Sequence, residues 1–318
     1  MIQCGGLNSP DRVSAKVVPR IEQAVLTLGY VPNAVGRALA SQQSNIVGAL
    51  IPSLGNAMFA NGLQAFQETL AQEDLAVIFA TTAYNLDEEA RQVRNLLSQG
   101  ASSLLLIGKA RHPDTQEILA QRRIPYVLAW CYGEDEDHTY IGFDNAAAAH
   151  MAAEKALGFG HRQVGLICGL GAENDRAEDR KVGFQKAVNA APKARLTASL
   201  EVDYKLEAGR VAFQQLMTQA PETTAILCGN DVLAAGAMMG ARDQGLRVPE
   251  DVSIVGFDDI GLARVLTPAL TTVRIPQHQM GTLAAAALIQ KRKDPSAGTS
   301  IALNTEFILR GSLGAPRT

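Results

Sequence analysis

The sequence predicts an α/β protein made of two doubly wound parallel-sheet lobes, preceded by a short helical segment of different character. From Asn45 onward, apolar runs of four to seven residues alternate with helical patterns, as βαβ units do. Runs such as Leu104-Leu105-Leu106-Ile107 are apolar throughout, as strands are when helices cover both faces of a sheet. The runs are too many for one comfortable sheet, and two sheets are the natural solution. In order, strands are expected at 46–51, 76–80, 103–107, 126–129, 164–168, 225–228 and 253–257. Helices are expected at 59–72, 86–98, 114–121, 145–157, 179–190, 207–217 and 231–243.

Composition narrows the function. A chain of 318 residues with 47% hydrophobic and 19% charged residues suits a soluble protein of about two domains. A net charge of −3 excludes a general polyanion binder, although Arg12, Lys16, Arg20 and Arg37 outnumber Asp11 and Glu22 in the first 45 residues. Cys4, Cys131, Cys168 and Cys228 are scattered with no C-x-x-C, which points to buried free thiols in a reducing compartment. No signal-peptide pattern opens the chain and no apolar run is long enough to span a bilayer, so a cytoplasmic protein without membrane contact is expected. The acidic run Glu134-Asp135-Glu136-Asp137-His138 lacks EF-hand spacing and reads as a solvated loop.

The chemistry-bearing residues point to binding. Gly169-Leu170-Gly171 follows a strand, but the sixth position of a dinucleotide fingerprint is Asn174, not glycine. No P-loop, H-E-x-x-H or G-x-S-x-G exists, and the histidines at 112, 138, 150, 161 and 278 are scattered. No enzyme, metal or cofactor is expected. Parallel sheets bind ligands beyond the carboxyl ends of their strands. That rule nominates Met58 and Phe59 after the first strand, Trp130 after the fourth, Arg176 and Arg180 after the fifth, Asn230 after the sixth and Asp258 after the seventh. Aromatic faces, guanidiniums and carboxylates around one cleft suit a small polyhydroxylated ligand, because rings cover the C–H face of a sugar while Arg and Asp pair with its hydroxyls.

Residues 28–52 add a second kind of signal. Pro32 breaks the preceding helix, Asn33 can N-cap a new one, and Ser41-Gln42-Gln43-Ser44 connects it to the first strand. Arg37-Ala38-Leu39-Ala40-Ser41 closely resembles the hinge helix of the LacI/GalR family of bacterial regulators. Further matching landmarks follow in order: Asp144-Asn145, Gly160-His161-Arg162, Asp179-Arg180 leading to Gly183-Phe184, Gly229-Asn230-Asp231, and Val248-Pro249-Glu250-Asp251 running to Asp258-Asp259. The resemblance covers nearly the whole chain. It implies a periplasmic-binding-protein type I body at 46–318, with one lobe at about 46–144 and 277–304 and the other at about 145–276 and 305–318. It also implies a repressor whose operator affinity is set by a sugar-like effector in the inter-lobe cleft. A solute-binding protein of the same fold, without DNA function, is the alternative. By the same resemblance Arg180, Asn230 and Asp258 are polar effector contacts, Tyr204 is an aromatic stacker, and Asn33, Arg37 and Leu39 belong to the DNA-binding hinge. Trp130 stands where sugar-binding members often have an aspartate, Ile275 replaces a polar residue, and Gly108 lacks a side chain that can bond a hydroxyl; a less polar first lobe is expected.

The resemblance implies a homodimer as well. The 276–290 helix carries an apolar stripe of Met280, Leu283, Ala284, Ala287 and Leu288, which could serve a partner or the lobe's own core. The match to the family's helix-turn-helix head begins at Leu7, so residues 1–45 read as a head remnant, with its third helix at about 15–28, and the hinge helix. Without a recognition helix, the minor-groove leucine and a few basic residues leave only a salt-sensitive phosphate attraction. The 318-residue chain is therefore expected to bind an operator no more tightly than random DNA in about 0.15 M salt. Fluorescence anisotropy checks this; sequence-selective binding would contradict it.

Overall fold

The computed structural model describes residues 17–29 and 44–317. The hinge residues Asn33, Arg37 and Leu39, with the hinge helix itself, lie outside the described residues. Before them, α1 (Val18–Leu28) places Pro19 in its first turn, where the missing N–H has no intrahelical partner anyway. No helix among the described residues is long and apolar enough to cross a membrane.

Two parallel sheets form the body. The first combines β1 (Ile46–Ile51), β2 (Ala76–Thr81), β3 (Ala101–Ile107), β4 (Tyr126–Ala129), β5 (Tyr140–Gly142) and β11 (Ile301–Ala302) in the order β11-β5-β4-β3-β1-β2. Its helices are α2 (Ala57–Ala71), α3 (Leu86–Ser98), α4 (Pro113–Arg122) and α10 (Gln277–Lys293). The second sheet combines β6 (Gln163–Gly169), β7 (Arg195–Val202), β8 (Ala225–Cys228) and β9 (Ser253–Val255) in the order β7-β6-β8-β9. It is accompanied by α5 (Asn145–Gly158), α6 (Asp175–Ala190), α7 (Leu206–Gln219), α8 (Asp231–Asp243) and α9 (Gly261–Val265). A small antiparallel ribbon of β10 (Thr272–Arg274) and β12 (Glu306–Ile308) completes the fold. The expected α/β class with two doubly wound parallel sheets is what the chain adopts.

Local chemistry explains the boundaries that matter for the site. Asn56 caps α2, its side-chain oxygen accepting from the Met58 N–H at 3.1 Å. Asp144 caps α5 in the same way through Ala147. Asn230, rather than Asp231, caps α8 through Leu233 at 2.8 Å. The helix expected at 179–190 begins earlier than the sequence suggested, at Asp175 with Asn174 before it, which brings Arg176 into its first turn. The expected 253–257 strand ends at Val255, because Asp258 and Asp259 turn the chain with φ of 113° and 51°.

Packing decides the α10 stripe. Met280, Ala284, Ala287 and Leu288 are buried in the core of their own chain and Leu283 is half-buried against it, so most of the stripe packs the lobe's own core. On the same buried face Gly62 and Gly281 let α2 and α10 touch backbone to backbone, and a Cβ at Gly281 would overlap the Gly62 carbonyl. Cys131, Cys168 and Cys228 are buried free thiols.

His161 ties the C-terminal segment to the second sheet. Its Nδ1 lies 2.9 Å from the Thr224 hydroxyl and its Nε2 lies 2.9 Å from the Gly314 carbonyl and 3.1 Å from Ser253 Oγ. Burial holds its pKa below 6.5, so the folded protein favours neutral imidazole. A depressed folded-state value means that this stability is full above the unfolded pKa of about 6.5 and is lost as pH falls towards the folded value. Urea unfolding midpoints should therefore drop on going from about pH 8 to about pH 5.5, with a shallower drop in His161→Gln. Equal slopes in the two proteins would remove His161 as a cause.

Candidate functional site

The carboxyl ends of both sheets meet at one cleft, lined by Asn56, Met58, Phe59, Tyr84, Asn174, Arg176, Arg180, Tyr204, Asn230 and Asp258. It lies where β1 gives way to α2 in the first sheet and where β6 and β8 give way to α6 and α8 in the second, the crevice that doubly wound topology leaves open. The cleft is closed down around these side chains, with about 10 Å³ of free space. Seven of the residues that the sequence nominated are brought together here: Met58, Phe59, Arg176, Arg180, Tyr204, Asn230 and Asp258.

Arg180 is the centre of the arrangement and is 4% exposed. Its Nε donates to Asn145 Oδ1 at 2.9 Å, and its Nη1 donates to the Gly229 carbonyl at 2.7 Å and to Asp258 Oδ1 at 3.3 Å. The guanidinium carbon sits 3.9 Å from the centroid of the Phe257 ring, a cation–π contact out of water. Asn145 is fixed in turn by donating Nδ2 to the Trp130 carbonyl at 3.0 Å. Burial pushes the Asp258 carboxyl up to about 6, and the Arg180 guanidinium limits that rise. Burial also raises the phenols of Tyr84 and Tyr204, which stay neutral and lie with ring centroids 5.4 Å apart across the cleft.

The loop that carries Asp258 is held from below. Asp231, fully buried, accepts from the Ile260 N–H at 2.9 Å and from the Thr272 hydroxyl at 2.5 Å. Asp259 accepts from Arg274 and Arg310; burial works against its charge, and the two guanidiniums outweigh it to keep its pKa low. Gln277, at the start of α10, donates to the Asp258 carbonyl at 2.9 Å.

Trp130 is the exception among the nominated residues. It is fully buried and not part of the lining, because its backbone takes φ of 59° and its ring packs behind Phe59 with centroids 5.7 Å apart. Trp130 thus supports the cleft floor. Ile275 belongs to a separate groove. At Gly108 the expected gap is filled from the other lobe: a Cβ there would overlap the Arg176 guanidinium. The rim is bridged next to it by the Lys109 N–H, which donates to Asp175 at 2.8 Å, and by the Leu86 N–H, which donates to Glu173 at 2.9 Å. Tyr84 and Asn174 are lining residues that sequence reasoning missed. Tyr84 follows the carboxyl end of β2, the same signal that found Phe59, and Asn174 was hidden by the late start assigned to its helix.

Two polar atoms in the cleft have no partner: Asn174 Oδ1, an acceptor, and Asn230 Nδ2, a donor. The residues are 3% and 1% exposed, so water does not serve them freely. A roomier groove of about 360 Å³ lies between Asn61, Gln64, Arg264, Arg274 and His278, but none of the unpaired buried side-chain atoms among the described residues falls in it. The two unpaired groups make the smaller cleft, rather than the roomier groove, the candidate ligand site.

A two-lobed fold with a buried polar cleft at paired switch points defines a ligand-binding protein of the periplasmic-binding-protein-like class. Residues 153–313 match the periplasmic binding protein-like domain family. The chain is 32% identical to the transcriptional repressor PurR of Shigella sonnei over 315 residues, 96% of this chain and 91% of that one. It is 29% identical to the ribose operon repressor of Haemophilus influenzae over 311 residues, 96% and 92% of the two chains. Among solved structures, the lac repressor dimer bound to operator and an anti-inducer superimposes with a TM-score of 0.84 at 25% identity, over 96% of this chain and 92% of that one. The chain belongs to the LacI/GalR family of bacterial transcriptional repressors.

Removing the Asp231 carboxylate as Asp231→Ala strands the Ile260 N–H and the Thr272 hydroxyl in the interior. The expected loss of stability is about 3 kcal/mol, measured by urea unfolding. A loss below about 1 kcal/mol would show that the 258–260 loop is held by other means.

Proposed function

We propose that the chain is a non-catalytic, cytoplasmic regulator whose cleft takes a neutral monosaccharide-sized effector, and that occupancy of the cleft biases operator binding by a homodimer. The carrying observation is the pair of unpaired buried groups, Asn174 Oδ1 and Asn230 Nδ2, beside the Arg180–Asp258 pair. An acceptor, a donor and a carboxylate facing one small space suit hydroxyls, which both donate and accept. Phe59, Tyr84 and Tyr204 supply apolar faces for ring C–H groups. Charge supports neutrality: Asp258 faces Arg180, and Asp175 lies 3.4 Å from Arg176. With only about 10 Å³ free, the lobes must part to admit a sugar ring, which ties occupancy to lobe arrangement. The ribose-operon and lac repressors among its relatives carry sugar-related names, which supports the same class. Linkage then requires only that effector and operator prefer different lobe arrangements.

Calorimetry against D-ribose, other neutral aldoses and D-glucuronate tests the reading. Arg180→Ala should weaken binding of the best neutral sugar by about 2–4 kcal/mol, because its partners are left buried and unpaired. Preference for glucuronate, or binding unaffected by the substitution, would contradict it.

A pH profile gives an independent check. Effector hydroxyls donate to ionised Asp258, whose carboxyl titrates at about 6. Affinity should be level above that value and fall up to about tenfold per pH unit below it. Affinity unchanged down to about pH 5 would exclude Asp258 as an acceptor.

A further inference from the structure

The α10 helix joins two places that no single sheet strand joins. At its N-terminal end Gln277 donates to the Asp258 carbonyl at 2.9 Å and accepts from Asn61 Nδ2 at 2.8 Å. At its C-terminal end Arg292 donates Nη2 to the Ser44 carbonyl at 2.8 Å, Nη1 to Ser103 Oγ at 3.1 Å, and Nη1 also to Ser102 Oγ. Ser102 Oγ reaches back to the Ser44 and Ile46 carbonyls at 2.9 and 3.1 Å, and the Ile46 N–H donates to Ser44 Oγ at 3.2 Å. Ser44 lies two residues before β1, at the amino edge of the first sheet, far from the cleft.

The body between these ends is stiff. A 17-residue helix is about 25 Å long. It is locked to α2 by the Gly62–Gly281 contact and, at its N-terminal end, by Asn61. Met280, Ala284 and Leu288 are fully buried beneath it.

We propose that α10 is a strut that couples the position of the Asp258 loop to the backbone at Ser44, with Gln277 and Arg292 as the positioning residues at its two ends. A shift of Asp258 moves Gln277 and the helix as one piece, and Arg292 carries that movement to the chain where it meets the first sheet. The regulatory meaning of this coupling rests on the cleft being the effector site; the coupling itself does not.

The test uses the full chain without any effector, so its failure is separate from failure of the sugar assignment. Amide hydrogen exchange is followed by mass spectrometry across 44–50 and, as a reference, across β6. Gln277→Met keeps the side-chain volume and removes both hydrogen bonds. It should speed exchange at 44–50 by about fivefold, the effect of losing about one hydrogen bond, with β6 unchanged. In an Arg292→Lys background, which folds with the charge retained but lacks the forked contact, the same change should add less than about twofold. No acceleration at 44–50, acceleration shared equally by β6, or an undiminished effect in the Arg292→Lys background would each overturn the proposal.

Discussion

The Arg180 guanidinium is the interaction on which the cleft depends. A buried guanidinium is costly unless every side of it is met. Here Asn145, the Gly229 carbonyl, Asp258 and the face of Phe257 meet it from three separate segments. Each partner is itself fixed. Asn145 hangs from the Trp130 carbonyl, Gly229 precedes the Asn230 cap, and Asp258 stands on a loop gripped by Asp231, Gln277 and the Asp259 arginines. One side chain therefore reports on β4, α5, α6, β8 and the 256–260 turn together. That breadth is what a ligand-responsive cleft needs, since a change at one centre reaches both lobes.

The same economy appears in the floor and the rim. Trp130 turned inward at a left-handed position supports Phe59, and Gly108 leaves room for Arg176 to cross from the other lobe. The cleft is then lined by side chains that already touch one another, with two amide atoms left over. A buried donor or acceptor without a partner costs about 1–3 kcal/mol, so the leftover groups favour whatever ligand completes them. This is a physical route from an unpaired Asn230 to effector affinity that needs no appeal to the overall fold.

Much of the body was legible in the sequence. Continuously apolar runs such as Leu104–Ile107 and the periodic helices at 86–98, 145–157 and 231–243 were placed within a residue or two. The missed strands share a cause. β7 at Arg195–Val202 is a half-exposed edge strand whose mixed residues show no apolar run, and β5, β10, β11 and β12 are two or three residues long. The switch-point rule found Phe59, Asn230 and Asp258 because each follows a readable strand. It missed Asn174, whose helix starts four residues before its apolar pattern does, and it placed Trp130 in the lining because a positive φ at a tryptophan leaves no mark in the sequence.

The central claim is that a neutral sugar completes the unpaired groups around Arg180. The most direct measurement is the side-chain amide resonance of Asn230, followed by nitrogen-15 NMR while D-ribose and other neutral aldoses are titrated in. The account predicts a saturable shift of the Asn230 Nδ2 protons with at least one of them, lost in Arg180→Ala. No saturable shift with any aldose, or shifts confined to the groove around Arg264 and His278, would contradict it.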